Sequence, residues 1–204
     1  MNTSTIPPII IPAVAVACIT AFAAVLPTAS ASAQSDSAAI AELRDINPDL
    51  AAAEICYENE DWEGAVDAYE NGFNGSGATF WHLHNYAYAL LQTDRYAQAE
   101  RALAYIIRHD STDALAWFNR GIARTLMDHD HAALRCFERS AYLRPQDPDA
   151  WLLVGLTALR LDNYRRAWEA FDILVQMDEE DAAYLHDSIV RAERWYNDPL
   201  REIW

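Results

Sequence analysis

Ala65, Ala99, Ala133 and Ala167 stand 34 residues apart, and the same interval recurs in the residues around them. Four residues after each alanine comes a large side chain: Tyr69, Leu103, Phe137 or Phe171. Three residues before come Trp62, Tyr96, Asp130 and Tyr164, and twelve before come the small residues Ala53, Ala87, Gly121 and Gly155. Sixteen before stand Asp49, Leu83, Trp117 and Trp151. This period constrains the fold more than composition can. A unit of this length cannot bury its own apolar face, so the units must stack against their neighbours. Within a unit, the spacing of four is helical. In "HAALRCFERSAYLRPQDPDAW" (His131–Trp151), Pro145 lacks the N–H that an elongating helix needs. Asp147-Pro148 then supplies an N-cap and a preset first turn. Each unit is therefore read as two helices, close together at the small residues and filled beside them by the large ones.

A small residue on the first helix and Ala…Phe on the second, repeated every 34 residues, resembles the tetratricopeptide repeat. The third unit carries the pattern best, with Trp117, Gly121, Ala133, Phe137 and Pro145. The fourth keeps Trp151, Gly155, Tyr164, Ala167 and Phe171 but has Glu179 in the proline slot. The second keeps Ala87, Tyr96 and Ala99, whereas the first has Asp49 in the aromatic slot and ends in the glycine-rich "NGFNGSG". The resemblance implies an all-α, right-handed helix-pair solenoid with units at 46–79, 80–113, 114–147 and 148–181. Residues 182–196 keep a helical period with no partner helix after them and are read as a capping helix. Asp198-Pro199 breaks that helix and leaves 197–204 as a tail.

Residues 1–33 carry no charged side chain, Ile9–Leu26 is almost wholly apolar, and "ASA" (Ala31–Ala33) precedes the polar "QSDS". This reads as a signal peptide cleaved after Ala33, which places the mature chain in the periplasm or outside the cell. The segment lacks a Lys/Arg n-region, and the apolar run is long enough to serve instead as an uncleaved anchor. Residues 34–45, rich in Ser and Ala, are read as a flexible lead-in or a loose first helix.

The chain has 31 Asp and Glu against 15 basic residues, all of them arginine, for a formal net charge of −16. Nucleic-acid partners need a positive footprint, so none is expected. Nor is an anionic membrane surface. An acidic exterior aids solubility, and it also attracts a basic partner. After cleavage only Cys56 and Cys136 remain. Several helices intervene, packed axes lie roughly 8–10 Å apart, and a disulfide needs Cα atoms within about 7 Å. Both are expected to be free thiols. There is no Ser/His/Asp arrangement, no phosphate-cradling glycine loop and no C-x-x-C, so the chain is read as non-enzymatic and without a cofactor. "DHDH" (Asp128–His131) sets four potential ligands in succession, but metal sites converge from spaced positions. It is read as a solvated turn, and no metal is expected.

Recognition remains. In a helix-pair solenoid, one face of each first helix lines a concave surface. The resemblance places there Leu50, Glu54 and Tyr57 from the first unit, and Trp81, His84, Asn85, Tyr88 and Leu91 from the second. The third contributes Phe118, Asn119, Ile122 and Thr125, and the fourth Leu152, Leu156, Leu159 and Arg160. The candidate partner-binding set is Trp81, His84, Asn85, Tyr88, Leu91, Phe118, Asn119, Ile122, Leu152 and Leu156. Because Leu83, Trp117 and Trp151 already serve the helix-pair core, Trp81, Tyr88, Phe118 and Leu152 are expected to be the more exposed. An apolar stripe of that size marks a binding site.

Its cover is a partner peptide or helix, a second copy, or the chain's own tail with Trp195, Tyr196 and Trp204. Family members that clamp acidic peptide C-termini use Lys, Arg and Asn at these positions. Here Asn85 and Asn119 are present to bond a ligand backbone, but His84, Phe118 and Leu152 replace the cations, so that role is not implied. Arg120 and Arg124 fill slots that hold Tyr86 and Leu90, or Val154 and Ala158, in the neighbouring units. They are expected to reach a nearby carboxylate. The functional expectation is an exported, monomeric module that binds an unidentified protein or peptide during envelope complex assembly or maturation. The alternative is a structural subunit or self-associating scaffold. "YENEDWEGAVDAYENGF" followed by "FWHLHNYAYAL" is similar to repeats of bacterial aerotolerance-operon proteins.

Overall fold

The computed structural model describes residues 33–196. The segment before Ala33, read as signal peptide or anchor, and the tail 197–204 lie outside the described residues. Among the described residues there are ten helices and no strand. They are α1 (Ala33–Ile46), α2 (Pro48–Glu58), α3 (Trp62–Gly72), α4 (Phe80–Gln92) and α5 (Tyr96–His109). These are followed by α6 (Ala114–Leu126), α7 (Asp130–Leu143), α8 (Pro148–Arg160), α9 (Tyr164–Leu174) and α10 (Glu179–Tyr196). The pairs α2–α3, α4–α5, α6–α7 and α8–α9 are the four units. The segment 34–45 is helical rather than a flexible lead-in: α1 docks on α2, and Leu43 packs against the core. None of the described helices is long and apolar enough to cross a membrane.

Each unit turns from its first helix to its second in the same way. Glu60, Asp94, Asp128 and Asp162 all have positive φ, between 53° and 59°. The N–H of the next residue donates back across the turn, as from Arg95 to Leu90 O and from His129 to Arg124 O, both at 2.8 Å. This is a Schellman closure, which satisfies carbonyls that the helix end leaves open. Asp61, Asp113 and Asn163 then cap the starts of α3, α6 and α10's neighbour α9 through side-chain oxygens. Asn47 caps α2 and reaches further, donating to Gly72 O at 2.8 Å and to Ser76 O at 2.9 Å. One buried amide thus fixes both the start of the first unit and the loop that leaves it.

The small residues sit where the period requires. Ala65, Ala99, Ala133 and Ala167 are fully buried. A Cβ on Gly121 would stand 2.4 Å from Phe137 Cε1, so this glycine is what lets α6 approach α7. The equivalent Gly155 receives a different neighbour. Its missing Cβ makes room for Leu185 of α10, whose Cδ2 would lie 2.5 Å from it. The cap buries Ala182, Leu185 and Ile189 against α8 and α9.

Arg120 and Arg124 reach a carboxylate as expected. Both guanidiniums converge on Glu100 Oε1 from α5, at 2.7 and 2.8 Å. Burial works to raise the Glu100 carboxyl, but the hydrogen bonds and charges of the two arginines outweigh it and hold the group below its usual 4.5. Cys56 and Cys136 are free thiols.

Candidate inner-face binding site

Successive first helices approach one another, α2 with α4 and α4 with α6, while second helices pack mainly on first helices. The first helices therefore line the inner curve. On α4, Trp81, His84 and Tyr88 fall three and seven residues along one face. Trp81 is 47% exposed. Tyr88 is half-buried in an edge-on aromatic triangle with Tyr57 and Trp62, whose ring centroids lie 5.4 to 5.8 Å apart. Such pairs add rigidity to apolar contact area. Burial raises the phenols of Tyr57 and Tyr88, so both remain neutral hydrogen-bonding groups.

His84 lies beside this triangle. Its Nε2 is 2.7 Å from Asp113 Oδ2, while the other Asp113 oxygen accepts the Ala116 N–H at 2.8 Å. Burial alone would raise Asp113, but the His84 bond, the Ala116 N–H and the charges of His84 and Arg144 hold it low. His84 Nδ1 is buried and has no hydrogen-bond partner among the described residues. Because that nitrogen activates no hydroxyl or thiol, the His–Asp pair is a hydrogen-bonding feature rather than half of a nucleophile's relay. Asn85 is committed internally. Its amide donates to both Glu54 oxygens at 3.3 Å, and Glu54 also accepts the Tyr69 hydroxyl.

The expected exposure pattern is reversed in the third and fourth units. Phe118 is 1% exposed and Leu152 4%, and Leu91, Asn119, Ile122, Thr125, Leu156 and Leu159 are buried with them. Leu83, Trp117 and Trp151, placed in the core from sequence, are only partly buried. In the two tryptophans the indole N–H also finds an acceptor there. Trp117 Nε1 donates to Ser111 O and Trp151 Nε1 to Pro145 O, each at 3.0 Å. Both rings thus lie at the inter-unit turn at the rim. Phe118 turns inward and meets Phe137 edge-on, with ring centroids 5.8 Å apart.

The structure thus brings together Trp81, His84 and Tyr88, joined by Tyr57, Trp62 and Asp113, and leaves the remaining candidates as packing. Asp113 is legible in sequence as an N-cap, but its bond to a residue 29 positions earlier is not. Arg160, placed on the concave face, instead pairs with Asp128 and Asp130 of "DHDH" at 3.0 and 2.9 Å. Among the described residues no group of three or more His, Cys, Asp and Glu side chains is arranged to hold a metal ion.

No family model matches the chain. The general transcriptional corepressor trfA of Dictyostelium discoideum is 25% identical over 118 residues, which is 57% of this chain and 8% of that protein. The chain therefore spans less than a tenth of that relative's length. Among solved structures, "YrrB: a TPR protein with an unusual peptide-binding site" superposes at a TM-score of 0.62. The match has 19% identity over 67% of this chain and 72% of that one. A tetratricopeptide repeat protein from Parabacteroides merdae gives 0.66, with 16% identity over 78% and 61% of the two chains. The first TPR of Spaghetti (RPAP3), solved with the HSP90 peptide SRMEEVD, gives 0.51, with 20% identity over 54% and 87%. The fold is that of the tetratricopeptide-repeat proteins, an all-α array of helix pairs.

Proposed function

We propose that the chain is an exported interaction module that holds a peptide or helix of a protein partner on the inner face of its first two units, for assembly or maturation of an envelope complex. The observation that carries this reading is the stripe Trp81–His84–Tyr88, an exposed indole beside an imidazole held by Asp113, on a rigid aromatic base. Rigid aromatic anchors beside a few polar groups are what concentrates binding energy at interfaces. Neighbours of the same fold support it, since one is described by an unusual peptide-binding site and another was solved with a peptide. Export rests on the apolar segment and the "ASA" sequence that precedes α1.

The groove is shorter than the sequence implies. Phe118, Ile122, Leu152 and Leu156 support the inner curve from behind and offer no surface to a ligand. A photo-crosslinking residue at Trp81, expressed in cells, should capture a partner, and Tyr88→Ala should weaken that capture by about 2 kcal/mol without loss of helicity. Capture equally efficient from the rim position Trp151 would refute the site. N-terminal sequencing of the exported protein should begin at Gln34. A sequence beginning at Met1 would favour the anchor.

A further inference from the structure

Of the fourteen arginines among the described residues, seven are matched to carboxylates, as Arg95 is to Glu63 and Arg166 to Glu138. Four of the other seven gather on the outer faces of α5 and α7. Arg101, Arg108, Arg135 and Arg139 form no ion pair among the described residues, although acids outnumber bases about two to one in the chain. On α5, Arg101, Tyr105 and Arg108 follow one another at helical spacing, and the period sets Arg135, Arg139 and Tyr142 in the same register on α7. The guanidinium of Arg108 lies 5.3 Å over the Tyr105 ring and that of Arg139 5.2 Å over Tyr142. Tyr142 is 71% exposed. The stripe stops at both ends. The corresponding positions are Asp67 and Asn71 on α3, and Glu169 and Ile173 on α9.

An apolar cleft adjoins this stripe. α3 ends at Gly72, and the chain crosses to α4 through "NGSGAT". The gap is a cleft of about 400 Å³ lined by Phe73, Ala78, Thr79, Phe80, Leu83 and Tyr105. Tyr105 belongs to both features, and Phe80 beside it is 47% exposed. Cations held over aromatic rings beside an apolar hollow match a ligand with two properties, negative charge and one large apolar side chain.

We infer that this outer face binds an acidic polypeptide segment, its carboxylates on the α5 and α7 arginines and one apolar side chain in the cleft. Arg101 and Arg108 are about 10 Å apart along the helix, roughly one turn of a polyproline-II chain of three residues, whose period puts carboxylates at every third position on one side to meet them. The net charge of −16 decides the class of ligand. It repels a long polyanion or a second copy along its whole length, while a short segment senses mainly charges within a Debye length of about 8 Å. The inference is independent of the inner-face reading, because the two surfaces share no residue of the stripe Trp81, His84 and Tyr88.

The test is fluorescence anisotropy on the full chain, with a labelled short peptide of Asp and Glu around one central Phe. Binding should weaken steeply as salt rises from about 50 to 300 mM. Arg101→Glu with Arg108→Glu should cost roughly tenfold or more in affinity, and Tyr105→Ala should cost severalfold. Arg191→Glu with Arg194→Glu makes the same net-charge change on α10 and should leave binding intact, as should Tyr88→Ala on the inner face. A probe with Ala for the central Phe should bind more weakly. No binding at low salt, or equal losses from the α5 and α10 reversals, would overturn the inference. So would tighter, stripe-dependent binding of an oligothymidylate. A salt-sensitive dimer dissolved by the α5 reversal would assign the surface to a second copy and equally overturn it.

Discussion

The joint between the first and second units and the joint between the second and third use the same three slots of the repeat, yet the slots are uncharged in one and ionic in the other. Val66, Tyr86 and Leu90 fill them at the first, whereas 34 residues on they hold Glu100, Arg120 and Arg124. Leu134, Val154 and Ala158 make the same slots apolar again at the third joint. Val66 and Leu90 are fully buried, while the ionic side chains keep 18 to 22% of their surface in water. That residual access permits the charges. Arg124 spends its other donors on Cys136 Sγ at 3.3 Å and Ala132 O at 3.4 Å, and Arg120 lies 6.0 Å from the Trp117 ring centroid. Stacking fixes the slot, and the neighbours then decide which chemistry the slot can hold. An ion cluster here adds little net stability, because its desolvation offsets its attraction. It does make the second joint specific for its own partner.

The comparison is most exposed at Glu100. Glu100→Ala strands two cations and should cost roughly 3 kcal/mol in urea unfolding. Val66→Ala at the first joint should cost about 1.5 kcal/mol, and an equal or larger loss there would break the distinction. Gly121→Ala copies the second unit's Ala87 into the third, on the helix that carries Arg120 and Arg124. Its Cβ meets the Phe137 ring, so a loss of about 2 kcal/mol is expected. An unchanged midpoint would show that α6 and α7 can part without cost.

Copying the whole first joint into the second, by Glu100→Val, Arg120→Tyr and Arg124→Leu, should be neutral or stabilising by about 1 kcal/mol at neutral pH. The pH dependence sharpens this. The Glu100 carboxyl is held below its usual 4.5, so its contribution is present above that pH and is lost as pH falls through the lower folded value. The advantage of the apolar copy should therefore widen in melts run below about pH 4.5, and a constant difference would exclude the triad as its source. The smallest effect concerns the turns. Glu60 holds a positive φ at which Asn is far more at home, so Glu60→Asn should gain a few tenths of a kcal/mol. Asp94→Asn, in the second unit's turn, should change stability very little.

The period alone yields the helix pairs, the buried alanines and the close approach at Gly121, because packing of this kind depends on spacing and size. Exposure depends on more. Phe118 and Trp117 are adjacent, and a rotation of a quarter turn decides which is buried. Trp117 at that rotation bonds Ser111 O through its indole N–H, a partner invisible to an apolar pattern, and Leu83 takes the same part-buried slot without one. Trp81 is exposed on the first turn of α4, which follows an α3 of 11 residues where α5 and α7 have 14. The glycines of "NGFNGSG" signal that shortening, but not the cleft it opens. The Schellman turns also have a signature in the sequence: Glu60, Asp94, Asp128 and Asp162 share the 34-residue interval, and acidity at every such step is a signal in itself.

Leu185 in the notch of Gly155 determines how long the array is. In the third unit the notch is filled from within by Phe137, but in the fourth it is filled from α10. Phe171 is left to pack against Trp168 and His186, at ring-centroid distances of 5.4 and 5.5 Å. A stacked repeat presents at its open end the surface on which another copy would grow, and a terminal element must remove that template. Here Leu185 does so, with Ala182 and Ile189 buried beside it. Without it the fourth unit would remain folded but sticky, and the copy number would no longer be fixed by the chain itself. The cap is thus a stop signal for assembly, written in side-chain volume.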